Sequence, residues 1–137
     1  NVLVSAGFVD EKPLRMLAPF LDAANIDLKS FSDDTYRHFN HARLAPVLRT
    51  LLILKEMDVH LEMTMLLIPG INTDARMQQK MFRWMTENGL ADSPLHITRF
   101  FPAYKMADAT ATPLDEMRKA EIRAKAEGIK HVYLGNV

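Results

Sequence analysis

The chain has 137 residues, 48% of them hydrophobic, which is enough to bury the core of a single domain. Its 17 Lys and Arg residues balance its 17 Asp and Glu residues, so no net charge would attract nucleic acid or an anionic membrane surface. There is no cysteine, which excludes disulfides, thiol nucleophiles and thiolate metal ligands within these residues.

The first half of the chain predicts three strands and three helices. A β-branched run ends at Gly7, helical spacing of leucine and alanine follows, and a second strand is expected over 24–29. Ser32 is a predicted N-cap with Asp33 and Asp34 in the first turn, where they interact favourably with the helix dipole. A longer helix should end near Met57, and a third strand then leads to a Pro-Gly turn.

The second half continues the alternation. Thr73 is a predicted cap for a helix that ends at Asn88-Gly89, where glycine accepts the left-handed conformation, and a strand follows over 93–100. Thr112 should cap the last helix, which ends before Gly128, and a final strand completes the chain. The order β-α-β-α-α-β-α-β-α-β with short loops predicts one domain, 1–137, with parallel strands and right-handed crossovers.

No stretch predicts a membrane segment. The longest apolar run is far too short to cross a bilayer, and no basic and apolar leader precedes it, so we expect a soluble, cytoplasmic protein. His38 and His41 are three apart without a third ligand nearby and are expected to be surface residues, so no metal site is predicted.

Polar residues occupy one face of four predicted strands. Successive side chains of a strand point to opposite sides of the sheet, so residues two apart share a face. The polar face holds Asp27 and Lys29, Glu62 and Thr64, His96 and Thr98, and His131 and Tyr133. A doubly wound sheet would instead have mainly apolar strands. The pattern predicts an α/β partial barrel with outer helices and a wet inner face; the alternative is an ordinary core with satisfied polar groups.

Asp27 and Lys29 form the most distinctive pair. They lie at the carboxyl end of a predicted parallel strand, where ligands bind in such folds, and they suit a ligand with an ammonium and a carboxylate. The alternative is a salt bridge between the two. Ser5 and Thr64 could add hydroxyl groups to the same cavity, and Tyr104 lies in a loop that would line it.

Four stretches carry a resemblance to a known family: NIDLKSFSD, LLIPGINTD, RFFPAYKM and the terminal YLGNV. In this order and at these spacings the chain resembles the C-terminal half of radical S-adenosylmethionine (SAM) enzymes. The relevant group is related to pyruvate formate-lyase activating enzyme and includes the radical enzymes of the AmmeMemoRadiSam system. The resemblance covers essentially all 137 residues.

The resemblance implies a partial (β/α)₆ barrel, of which this chain would be the last five strands. In the family a CxxxCxxC loop holds a 4Fe–4S cluster and a GGE-like motif meets the methionine amino group; both would lie in a missing N-terminal part. The implied activity is that of an oxidoreductase that reductively cleaves SAM to a 5′-deoxyadenosyl radical for hydrogen abstraction, as in glycyl-radical activation. Implied partners are the missing half, an electron donor such as flavodoxin or ferredoxin, and an unknown protein or small-molecule hydrogen donor.

The resemblance also implies roles for particular residues. Asp27 and Lys29 match the family's D-x-K pair, which contacts the amino and carboxylate ends of the methionine moiety. Thr64 stands where the activating enzymes have an arginine that suggests a ribose or carboxylate contact. Leu66 would contact the adenine.

Two further positions are matched less directly. Ser5 lies in SAG, which is similar to the family's TNG turn, and Tyr104 lies near the histidine of a PYH stretch. Val4 replaces an acidic residue of the activating enzymes, which leaves open whether their cation site exists here.

We expect the 137 residues alone to be catalytically inactive, since no cluster ligand is among them. Two other functions are compatible with the sequence. The first is a different barrel enzyme, such as an aldolase or isomerase that forms a Schiff base through Lys29. The second is a non-catalytic α/β interaction domain in which Asp27 and Lys29 pair only with each other.

Overall fold

The structure, a computed structural model, describes all 137 residues. Its secondary structure follows the predicted order, with two short 3₁₀ turns added, Ala18–Phe20 and Tyr104–Met106. The strands are β1 (Val2–Ser5), β2 (Ala23–Asp27), β3 (His60–Leu67), β4 (Leu95–Arg99) and β5 (Val132–Gly135). The helices are α1 (Glu11–Leu17), α2 (Asp33–Asn40), α3 (Leu44–Glu56), α4 (Ala75–Glu87) and α5 (Leu114–Ala126).

All five strands belong to one parallel sheet, and their spatial order, β1-β2-β3-β4-β5, is the same as their order in the chain. A doubly wound sheet would show a reversal of strand order, which is absent here. β1 and β5 each have one neighbour, so the sheet is open at both edges. The predicted α/β fold with five parallel strands is confirmed.

The helices pack on one face of the sheet. The core contains 25 buried hydrophobic residues, and the strands contribute one parity to it, including Ile26, Met63 and Ile97, all with no exposed surface. The opposite parity stays partly exposed, as the side chains of Glu62 and His96 show at 33% each. The predicted division into an apolar helix side and a polar open side is therefore confirmed. None of the helices has the length and apolar character that a bilayer span requires.

Two of the predicted helix N-caps have different outcomes. Ser32 is the N-cap of α2, and its side chain accepts a hydrogen bond from the Thr35 amide at 3.2 Å, as predicted. The prediction of Thr73 for α4 is wrong, because the cap is Asp74, which accepts from the Met77 amide at 2.7 Å. A carboxylate at this position also favours the positive end of the helix dipole.

The predicted cap of α5 is also wrong. The helix begins at Leu114 with Pro113 as its N-cap. Thr112 is fully buried, and its hydroxyl donates to the Leu67 carbonyl and accepts from the Phe100 amide. The hydroxyl thus connects the ends of β3 and β4, and this tertiary contact takes the place of a local cap.

Candidate functional site

The open face of the sheet carries a row of polar side chains. Strand register places Asp27 beside Thr64, Thr64 beside His96, and His96 beside Tyr133. Because neighbouring strands lie about 4.8 Å apart, the row spans about 14 Å. We call this face the trough; its strand residues are Asn25, Asp27, Glu62, Thr64, Leu66, His96, Thr98, Tyr133 and Gly135. Lys29, which follows β2 and bonds Asp27, is counted with them.

Asp27 and Lys29 meet at the carboxyl end of β2. Lys29 Nζ donates to Asp27 Oδ2 at 2.8 Å, and the two side chains remain 37% and 38% exposed. This contact is the salt bridge that the sequence leaves as an alternative to ligand binding. An ion pair as exposed as this contributes only about 0–1 kcal/mol, so a ligand with both charges can replace it at little cost.

Two buried side chains hold the backbone of Lys29. The hydroxyl of Tyr36, in α2, accepts from the Lys29 amide at 3.0 Å, and Asn72 Nδ2 donates to the Lys29 carbonyl at 2.8 Å. Burial raises the pKa of Tyr36 to about 12, and the nearby carboxylate of Asp27 acts in the same direction. The hydroxyl therefore stays protonated, and the position of Lys29 is set by contacts from two other elements.

Asn72 also fixes the end of β3. Its Oδ1 accepts from the Ile68 amide at 2.7 Å, and its Nδ2 donates to the Leu66 carbonyl at 2.7 Å. The residue is 1% exposed, and the amide group bridges the loops that follow β2 and β3. No pattern in the sequence marks it as a site residue. An asparagine two residues after the Pro-Gly turn was the only signal present.

A cavity of about 280 Å³ opens beside Lys29, over the ends of β2 and β3. Its walls are mainly apolar, and Leu66 contributes a 41% exposed side chain. The lining residues are Lys29, Thr35, Phe39, Asn40, Leu66, Ile68, Ile71, Asn72 and Met106. The structure thus brings two predicted site residues, Lys29 and Leu66, to one cavity, with Asp27 bonded to the first.

Thr64 lies in the trough but already has a partner. Its hydroxyl donates to Asn25 Oδ1 at 2.8 Å. The register pairs Thr64 with Asp27, so the Thr64 side chain lies on the neighbouring strand beside the Asp27–Lys29 pair. Its hydroxyl could turn from Asn25 to a ligand that lies over β2 and β3.

Ser5 and Tyr104 lie apart from the cavity. Ser5 is in register with the buried Ile26, so its side chain has the parity of the helix side, and its hydroxyl accepts from the Gly7 amide at 3.1 Å. Tyr104 is 88% exposed at the start of the second 3₁₀ turn, and Met106 of that turn lines the cavity instead.

A second polar cluster lies in the trough, towards the N-terminal ends of β3 and β4. Glu62 Oε2 bonds His96 Nε2 at 2.7 Å, and its Oε1 bonds His60 Nε2 at 3.2 Å. These hydrogen bonds, first that to His96 and then that to His60, hold the pKa of Glu62 below its ordinary value. The His96 ring stacks on Tyr133 with 5.4 Å between centroids. The sequence placed Glu62, His96 and Tyr133 on one face without identifying their contacts, and it did not single out His60.

The donor groups of the chain suit one of the two implied cofactors. No group of three or more His, Cys, Asp or Glu side chains could hold a metal ion, and the chain has no cysteine, the residue that binds iron–sulfur clusters. These residues therefore do not fit a 4Fe–4S cluster. A nucleoside joined to an amino acid does fit, since the cavity is mainly apolar and the Asp27–Lys29 pair adjoins it.

The chain shares its fold with a protein of known structure. No protein-family model matches the chain. It is 34% identical over 137 residues to the uncharacterized protein MJ0808 of Methanocaldococcus jannaschii, a match that covers all of this chain and 40% of that protein. It is also similar to the crystal structure of a domain of pyruvate-formate lyase-activating enzyme from Bacteroides vulgatus, with a TM-score of 0.79 and 16% identity. That match covers 98% of this chain and 80% of the other, and it shows a shared fold.

Proposed function

We propose that this chain is the C-terminal part of a radical SAM enzyme related to pyruvate formate-lyase activating enzyme, of the AmmeMemoRadiSam type. The observation that carries the proposal is the Asp27–Lys29 pair at the carboxyl end of β2, beside a mainly apolar cavity. The likeness in fold to a domain of an activating enzyme supports it. When bound, SAM with a reduced cluster would supply the 5′-deoxyadenosyl radical for hydrogen abstraction from a substrate.

The pair would bind the methionine moiety. In place of the present contact of 2.8 Å, Lys29 would donate to the carboxylate and Asp27 would accept from the ammonium. Neither charge would then be left without a partner. Tyr36 and Asn72 hold the Lys29 backbone through bonds of 3.0 and 2.8 Å, so little ordering of this loop would be needed on binding.

The cavity would receive the adenosine. Leu66 and Ile68 would make apolar contacts with the flat adenine base. Lys29 lines the same cavity, so the base and the methionine moiety would lie next to each other. Thr64, one strand from Asp27, is the proposed partner for a ribose or carboxylate oxygen. For Ser5 and Tyr104 a role in cofactor binding stays a prediction.

The chain spans about 40% of the length of its relative MJ0808, and the activity of a whole protein is part of the proposal. A further N-terminal segment would provide the cysteines for the cluster and could pair with the free edge of β1. Flavodoxin or ferredoxin would supply the electron, and a protein or small molecule would be the hydrogen donor. We propose that the enzyme acts in the cytoplasm. The coding sequence upstream of Asn1 tests this arrangement, since it should encode a three-cysteine loop.

Binding of SAM to the intact protein tests the site. Lys29→Ala should weaken binding measured by calorimetry by about 1.5–3 kcal/mol, or about 10- to 150-fold, since a hydrogen bond between charged groups is lost. Lys80→Ala is the matched control, because this lysine is exposed on α4, away from the cavity, and makes no ion pair. Equal affinities of the two variants would contradict the proposal.

Two observations separate the alternatives. A Schiff-base enzyme would be trapped covalently on Lys29 by borohydride in the presence of its carbonyl substrate, whereas a SAM site would not. An interaction domain would show no change of melting temperature with SAM in the intact protein. Stoichiometric cluster binding by the 137 residues alone, shown by an iron assay, would refute the expectation that they are inactive.

A further inference from the structure

The Glu62–His96 pair is a short polar contact on the open face of the sheet that the proposed cofactor site does not use. The two side chains come from neighbouring strands, and the distance of 2.7 Å between Oε2 and Nε2 is in the range of charge-assisted hydrogen bonds. The second oxygen of Glu62 is held by His60. The carboxylate is therefore fixed from both sides, and its lowered pKa keeps it ionised at neutral pH.

This geometry determines which nitrogen of the neutral imidazole carries the proton. An ionised carboxylate can only accept hydrogen bonds, so Nε2 of His96 must be the donor. Nδ1 is then the nitrogen with a free lone pair. Stacking against Tyr133, with an angle of 24° between the ring planes, holds the ring in this orientation.

Nδ1 of His96 is open to solvent. The ring forms no other hydrogen bond, and no buried side-chain nitrogen or oxygen of the chain lacks a partner, so Nδ1 is accessible. The side chain is 33% exposed on the helix-free side of the sheet. His96 lies in the same row as Asp27 and Thr64, so its backbone position is about 10 Å, two strand spacings, from that of Asp27.

We propose that His96 is a proton acceptor for a molecule in the trough and that Glu62 is its positioning residue. The matching substrate class is a small polar molecule with an acidic O–H or N–H group. Its proton would pass to Nδ1 while Nε2 keeps its own, and the imidazolium charge would be balanced by Glu62. The inference rests on the proposed function only in taking the trough as the place where the reacting molecule lies.

The test uses the intact protein and has two readouts. Nitrogen NMR of histidine-labelled protein should show that neutral His96 carries its proton on Nε2. Diethyl pyrocarbonate, which acylates free imidazole nitrogens, should modify His96, with the site identified by mass spectrometry. Glu62→Gln should lower the rate of modification at His96 about threefold, while the rates at the distant His38 and His41 stay unchanged as internal controls.

The outcomes test the two features that the proposal requires, an accessible unprotonated Nδ1 on His96 and its dependence on Glu62. A proton on Nδ1, or a His96 that the reagent does not modify, would overturn the proposal with the wild-type protein alone. An unchanged rate in Glu62→Gln would remove the positioning role of Glu62. Neither readout involves SAM, so a failure to bind SAM would count against the proposed function and not against this inference.

Discussion

Replacement of Asn72 by alanine should test how the site is held together. The substitution removes three hydrogen bonds of 2.7–2.8 Å and leaves the Lys29 and Leu66 carbonyls and the Ile68 amide without their side-chain partner. Each buried polar group left unsatisfied costs about 1–3 kcal/mol. Since water can reach part of this edge beside the cavity, we take the low end for each group and expect a loss of about 3 kcal/mol in the free energy of unfolding.

Urea unfolding followed by circular dichroism would measure the loss. Asn40→Ala is the matched control, because Asn40 lines the same cavity but is exposed, and a surface change of this kind alters stability by about 0.5 kcal/mol or less. A typical domain is stable by about 5–15 kcal/mol, so Asn72→Ala should remain folded at low denaturant. A loss below about 1 kcal/mol would show that the loops after β2 and β3 do not depend on Asn72.

Gly7→Ala should destabilise the fold by about 3 kcal/mol, because Gly7 has a φ of +73° and an added Cβ would lie 2.8 Å from Ile26 Cγ2. Gly70→Ala, at a φ of +74° with open space around it, should lose only about 1 kcal/mol in the same urea assay; equal losses would contradict the steric argument. Tyr36, with a pKa that burial raises to about 12, should ionise above the ordinary tyrosine pKa of about 10 in an ultraviolet titration, and the free energy of unfolding should fall as the pH rises from about 10 towards 12. The lowered pKa of Glu62 stabilises the folded state above about pH 4.3, the ordinary pKa of the unfolded side chain, and this contribution is lost in acid; urea midpoints of Glu62→Gln should therefore lie below wild type at pH 7 and converge with it near pH 2.

The alternation of polar and apolar residues predicted the open face correctly. In each strand, side chains two residues apart point to the same face, so Asp27, Thr64 and His96 lie on the face of the other polar residues of their strands. This alternation depends only on the extended backbone of the strand. The sequence therefore identified which side chains belong to the trough before any strand was paired. The same local patterns placed the Ser32 cap and the left-handed Gly89, with a φ of +75°.

The errors and omissions concern contacts between distant parts of the chain. Threonine is a common helix N-cap, but the Thr112 hydroxyl donates to the Leu67 carbonyl, 45 residues away. Asn72 bonds Lys29 across 43 residues, and Glu62 bonds His96 across 34. Each partner was chosen by strand register and loop packing, neither of which local spacing encodes.

By itself the sequence determined the order of elements, the parallel sheet and the polar lining, since hydrophobic period and turn residues act over a few positions. Only the tertiary structure decided that Lys29 bonds Asp27 beside a cavity, that Ser5 turns to the helix side, and that Glu62 fixes His96. Hydrogen bonds depend on distances of a few tenths of an ångström between groups far apart in the chain. Those distances exist only once the strands are aligned and the helices are packed.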